Sequence, residues 1–271
     1  MIIAIAIVIV LILLYMMSLR GRTGHPGLGE LRRWRYAHRG LHSPGVPENS
    51  MAAFRAALEA GYGIELDVHL LTDGGLAVIH DSRLERTTGR PGKVEELSST
   101  QLSRYPLEGT EETIPLFSRA LELFAGKAPL IIELKSDGNN CAALCQAAVA
   151  AMEGYEGPWC MESFDPRCVL WLRRNRPDIL RGQLSDNFLK GNSKLPWMLK
   201  FILTYHLANF LTRPDFIAYD YSARKTLSNF LCRRLWGIQG VSWTIRTPQE
   251  FIQATQEGWI PIFENFQPPK E

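Results

Sequence analysis

The sequence lacks a strong charge of either sign. Over 271 residues, 30 Lys and Arg offset 28 Asp and Glu, leaving a formal charge of +2, and after residue 40 the cations are scattered. A nucleic-acid surface needs a basic stripe to neutralise phosphates, so that class is set aside. Cysteine is sparse too: Cys141, Cys145, Cys160, Cys168 and Cys232 form no CxxC pair and no grouping with histidines at metal-ligand spacing. That argues against a disulfide framework and suits a reducing compartment. Cys141 and Cys145, four apart, read as small core residues on one helix face. A G-x-G-x-x-G fingerprint after the first strand is also missing, which counts against a doubly wound dinucleotide fold.

Charge is absent altogether from residues 1–19. As a helix these would rise about 28 Å, close to the hydrocarbon thickness of a bilayer, and they carry neither the basic start nor the cleavage site of a signal peptide. The expectation is therefore a single-pass transmembrane helix at the N-terminus. Arg20, Arg22, Arg32, Arg33 and Arg35 follow it, which by the positive-inside rule places the remaining chain in the cytoplasm. Residues 20–34, rich in glycine, read as a flexible basic linker, either solvated or lying against anionic headgroups.

From residue 35 onward, β-rich runs alternate with amphipathic helical patterns. Candidate strands are 35–38, 63–71, 130–135, 159–164, 179–184, 216–220, 239–245 and 259–264. Helix candidates between them start at cap-like residues, among them Asn49, Asn140, Asp165 and Thr247. A parallel return needs a crossover that a helix supplies, so eight such units predict an α/β fold closed as a (βα)8 TIM barrel over 35–271. Asp73-Gly74 interrupts the rhythm as a hairpin signal. Read as a two-residue turn, it sets Leu71 opposite Leu76, Val68 opposite Ile79, and Asp67 opposite His80.

Side chains alternate along a strand, so Glu65 and Asp67 share a face, as do Glu133 and Lys135. Carboxylates converging at barrel-strand ends make a hard oxygen site suited to Mg²⁺ or Ca²⁺. His38 and Arg39 close the first strand and His80 stands opposite the second, at the end where barrel active sites are built. Two imidazoles, cations and grouped acids fit phosphodiester chemistry: cations neutralise the phosphate while the imidazoles move protons.

The motifs His38-Arg39-Gly40, Pro47-Glu48-Asn49-Ser50, Glu65-Leu66-Asp67, His80-Asp81, Leu84-Glu85-Arg86-Thr87-Thr88 and Glu133-Leu134-Lys135 stand here in order. In this the sequence resembles the glycerophosphodiester phosphodiesterase family, with weaker echoes at Ser163-Phe164-Asp165-Pro166 and Ser242-Trp243-Thr244. The resemblance implies a phospholipase-C-like barrel that hydrolyses glycerophosphodiesters to glycerol 3-phosphate and an alcohol. It implies Glu65, Asp67 and Glu133 as ligands of a divalent metal, His38 and His80 as general base and acid, and Arg39 and Lys135 as phosphate binders. Glu48 would orient a base or cation, and Trp243 would pack against the glycerol moiety.

The stretch Phe263-Glu264-Asn265-Phe266 departs from the family's T-D-x-P-like ending, and Arg246 reads as a solvent-facing charge. Residues 195–211, unusually apolar, read as a packed outer helix, with a membrane-interface role as the alternative. Two other functions remain open: a lysophospholipase D-like reaction on membrane lysophospholipids, and a noncatalytic membrane-tethered binder of phosphorylated head groups.

Overall fold

The structure is a computed structural model that describes residues 1–190 and 194–269. Positions 191–193 and 270–271 of the expected domain lie outside the described residues. All eight expected strands form: β1 (Tyr36–His38), β2 (Gly63–Leu70), β4 (Leu130–Leu134), β5 (Trp159–Ser163), β6 (Arg181–Ser185), β7 (Phe216–Asp220), β8 (Gln239–Ile245) and β9 (Trp259–Phe263), with β3 (Leu76–Val78) as an added hairpin arm. Each of the eight runs parallel to its neighbours. β1 closes the ring by pairing with β9 through Tyr36↔Ile262 and with β2 through His38↔Glu65.

The period of two along each strand explains where the chemistry sits. Tyr36, Ile131, Cys160 and Ile260 belong to one buried apolar cluster. Two residues further along the same strands come His38, Glu133, Glu162 and Ile262, and two beyond the last of these comes Glu264. On β1, β4 and β5 the barrel interior therefore changes in one step towards the C-terminal strand ends, and on β9 in two, from a packed apolar layer to a layer of ionisable groups. A second cluster, including Phe54, Leu66, Phe117, Leu134 and Leu144, fills the space between barrel and helices. All five cysteines are free and buried.

Several expectations are corrected. The first is the membrane anchor. Helix α1 (Ile2–Ser18) has 17 residues, a rise of about 26 Å against a hydrocarbon core of about 30 Å. Among the described residues no helix is long and apolar enough to cross a membrane. Leu19, counted in the expected span, is instead buried beside Ile217, Cys232 and Ile238. The single-pass membrane location, the membrane partnership through that helix, and the orientation deduced from them fall with it. Beyond α1 the expected linker is held to the barrel: Arg22 pairs with Asp215, and α2 (Gly27–Arg33) buries Leu28 and Leu31.

The second correction is the hairpin register. Val68 faces Val78 and Leu70 faces Leu76, and the Leu71 N–H donates to Gly75 O. The turn thus holds three residues, with Gly74 at φ +83°, a left-handed conformation that glycine adopts without strain. Asp67 then lies opposite Ile79, whose N–H it accepts. The third is the cap of α3 (Met51–Ala60): Ser50, not Asn49, accepts from Ala53 N, which frees Asn49 for the site described below.

Residues 195–211 also differ from a packed helix. They form two short helices, Trp197–Thr204 and Asn209–Thr212. Their inward face is Thr204, His206, Asn209 and Thr212, while Trp197, Met198 and Phe210 are exposed.

Candidate active site

At the C-terminal rim of the barrel lies a cavity of roughly 500 Å³ lined by His38, Arg39, Glu48, Glu65, His80, Glu133 and Trp243 among others. Seven of the nine expected site residues face it directly. Asp67 and Lys135 are not among its lining residues and stand behind them, joined by a 3.1 Å ion pair.

The His-Arg-Gly run shows why this local sequence is required. Arg39 has φ +55° and Gly40 φ +79°, and a Cβ on Gly40 would meet Ala53 at 2.9 Å. The left-handed bend lets the Arg39 N–H donate to Glu65 Oε2 at 3.0 Å. It also brings the guanidinium to Glu48 at 3.0 Å and to Asp67 at 3.5 Å. Pro-Glu-Asn completes the set. Glu48 accepts from Arg86 as well as Arg39, and Asn49, itself at φ +53°, donates to Asp67 Oδ2 at 2.8 Å.

Both histidines are oriented in the same way. His38 Nδ1 lies 2.7 Å from Glu264 Oε2, and His80 Nδ1 lies 2.6 Å from Asp81 Oδ1. An imidazole whose Nδ1–H is held by a carboxylate keeps Nε2 for proton transfer. His38 is 8% exposed, and burial lowers its pKa to about 4 against the opposing pull of Glu264; the ring is neutral at pH 7. Asp81 is held far below the usual carboxylate range by its bonds to His80 and Arg86. His69, which shares the Glu65–Asp67 face, pairs with Glu95 at 2.6 Å and reaches His80 O at 3.2 Å, so it braces the backbone that carries His80.

Glu65, Asp67 and Glu133 are all buried, with carboxylate oxygens within 4.8 Å of one another. Burial, with neighbouring carboxylates, pushes Glu65 well above its usual pKa and Glu133 upward too. Asp67 moves the other way: against its burial, Lys135, His80 and Arg39 hold it well below the usual range. Lys135 Nζ sits 2.8 Å from Glu133. Acids crowded so closely out of water call for positive charge, and an all-oxygen donor set fits a hard divalent cation.

Two residues at this rim were given no role by the sequence reading. Glu264 orients His38, lies 3.5 Å from His42 and takes Arg246 at 2.7 Å, so the solvent-facing Arg246 also forms an ion pair. Glu162, in register with Glu133, is buried and pushed well above its usual pKa by burial and by Glu133 and Asp67. A signal for both existed. Ile-Glu at 64–65 and 132–133 recurs as Met161-Glu162 and Phe263-Glu264, each an acid at the end of an apolar strand. Trp243 lines the cavity, edge-on to Phe164 at 5.6 Å.

The model of the Glycerophosphoryl diester phosphodiesterase family matches residues 38–266. The chain belongs to that family. Among its relatives, a glycerophosphodiester phosphodiesterase of Bacillus altitudinis is 42% identical over 107 residues, 37% of this chain and 43% of that protein. Glycerophosphodiester phosphodiesterase 1 of Mus musculus is 25% identical over 247 residues, 79% of this chain and 72% of that protein. The match thus spans less than half the length of the Bacillus relative. A phosphodiesterase from Oleispira antarctica, solved in complex with the product sn-glycerol-3-phosphate, shares the fold with a TM-score of 0.72 and 22% identity, over 90% of this chain and 95% of that one.

Proposed function

We propose that this family member is a metal-dependent glycerophosphodiester phosphodiesterase that releases glycerol 3-phosphate and an alcohol. The observation that carries the reading is the pairing of two carboxylate-held imidazoles, His38 and His80, with an acidic cluster around one cavity. Glu65, Asp67 and Glu133 would hold Mg²⁺ or Ca²⁺. When bound, the ion supplies positive charge to the phosphate oxygens.

His38, neutral because it is buried, takes the proton from the glycerol hydroxyl next to the diester, and that oxygen attacks phosphorus. Glu264 stabilises the imidazolium so formed. His80 gives its proton to the departing alcohol, with Asp81 keeping Nδ1 engaged. Water then opens the cyclic glycerol phosphate with the two proton roles exchanged. Arg39 and Lys135 bring positive charge to the phosphate, Glu48 fixes the guanidinium of Arg39, and Trp243 offers an apolar face to the glycerol carbons.

A substrate panel tests the reading. Glycerophosphocholine and glycerophosphoethanolamine should yield glycerol 3-phosphate with added divalent cation. Turnover confined to lysophospholipids would instead favour the lysophospholipase D reaction, and binding without turnover the noncatalytic binder.

A further inference from the structure

At the opposite end of the barrel a second cavity, of roughly 620 Å³, is lined by five arginines: Arg20, Arg22, Arg173, Arg181 and Arg213. Its place follows from the strands. Arg181 opens β6, and Arg213 lies three residues before β7 begins, whereas His38 closes β1 and Glu133 stands near the end of β4.

Among the described residues only one carboxylate forms an ion pair with these five. Asp215 takes Arg22 at 2.5 and 2.6 Å and accepts the backbone N–H of Arg181 at 2.9 Å. The other four guanidiniums meet neutral groups. Arg173 donates to Leu211 O, Arg213 to Arg20 O, and Arg20 lies over the Trp236 ring at 5.7 Å. Arg181 donates to the carbonyls of Thr212 and Arg213, yet it is only 2% exposed and its Nη1 has no hydrogen-bond partner among the described residues.

Five positive charges facing one space with a single counter-charge repel one another, and a buried donor without a partner adds a desolvation cost. Burial, with Arg22 and Arg173 adding to it, pushes the pKa of Arg181 down to about 10. Arg213 is lowered by burial, Arg20 and Arg173. A tetrahedral oxyanion relieves all of this at once, because guanidinium forks match its oxygens in geometry as well as charge.

We propose that this cavity binds a phosphate oxyanion at a site separate from the catalytic rim. The same chemistry is offered by dissolved phosphate and by the phosphodiester of an anionic phospholipid headgroup. The test compares the full chain with an R173Q/R213Q variant. One arm measures bound radiolabelled inorganic phosphate by equilibrium dialysis. The other measures retention on vesicles of phosphatidylglycerol against vesicles of phosphatidylcholine alone.

The variant should keep its glycerophosphocholine hydrolysis while binding phosphate at least tenfold more weakly at one site per chain, if the source is dissolved phosphate. If the source is the headgroup, the loss appears as reduced retention on phosphatidylglycerol vesicles only. Unchanged phosphate uptake together with unchanged vesicle retention overturns the proposal. Should R173Q/R213Q fail to fold, R20Q removes a charge whose contact is the Trp236 face. It should weaken the same binding at least threefold, and wild-type binding by R20Q overturns the proposal equally.

Discussion

Replacing Glu264 with Gln removes a charge from the site while leaving an acceptor for His38 Nδ1. In the structure Glu264 Oε2 is 2.7 Å from that nitrogen, in a place where both side chains are nearly buried. A hydrogen bond to a charged group contributes about 1.5–3 kcal/mol, against about 1 kcal/mol for a neutral pair, so the substitution loses roughly 0.5–2 kcal/mol. The loss falls on the state in which His38 carries the proton, because the carboxylate stabilises imidazolium more than imidazole. At about 1.4 kcal/mol per tenfold, kcat should drop about 2- to 30-fold while KM changes little. Glu264→Ala, which leaves Nδ1–H without an acceptor, should cost more. The assay is steady-state release of glycerol 3-phosphate from glycerophosphocholine, with Arg246→Gln as the control. That variant removes another partner of Glu264, whose side chain is largely exposed and whose ion pair is therefore weak, and it should stay within about threefold of wild type by the same reasoning. Glu264→Gln and Glu264→Ala both within twofold of wild type would refute the orienting role and reduce Glu264 to a rim charge.

Exhaustive chelation should stop hydrolysis, and added Mg²⁺ or Ca²⁺ should restore it; activity that persists without divalent cation removes the role given to Glu65, Asp67 and Glu133. Away from the site, His206 is buried with Nε2 2.7 Å from Asn229 Oδ1, and burial lowers its pKa to about 4. Because the folded pKa lies below the unfolded value of about 6.5, the unfolded chain binds the extra proton as pH falls. The stability this neutral histidine preserves is thus fully present above about pH 6.5 and declines, by up to about 3 kcal/mol, towards pH 4. Urea unfolding of His206→Asn should show a shallower loss over that window, and an unaltered slope would contradict the assignment.

What could be read from the sequence follows from which distances are local. The strands were legible because their apolar runs and flanking caps lie within a few residues of one another. His38, Glu65, Asp67, His80 and Glu133 were legible because each closes or flanks such a run. Glu264 closes such a run too, but its pairing with His38 was not legible, since ring closure through β1 and β9 brings together residues 226 apart. Glu162 was missed although it repeats the pattern of Glu133 one strand away. The hairpin register slipped by one because Asp73-Gly74 suits both two- and three-residue turns, and ladder pairing decides between them. The N-terminal segment misled for a different reason. Hydropathy counted Leu19 with the helix, whereas Leu19 packs against the barrel and the helix stops at Ser18. Residues 195–211 show the same limit, because composition carries no information on which face polar Thr204, His206 and Asn209 would claim.

The most direct test follows glycerophosphocholine by phosphorus NMR in the presence of the full chain and Mg²⁺, beside His38→Ala and His80→Ala variants verified as folded. The account predicts conversion to glycerol 3-phosphate by the wild-type chain and none detectable with either variant. Conversion at wild-type rates by both variants would contradict it.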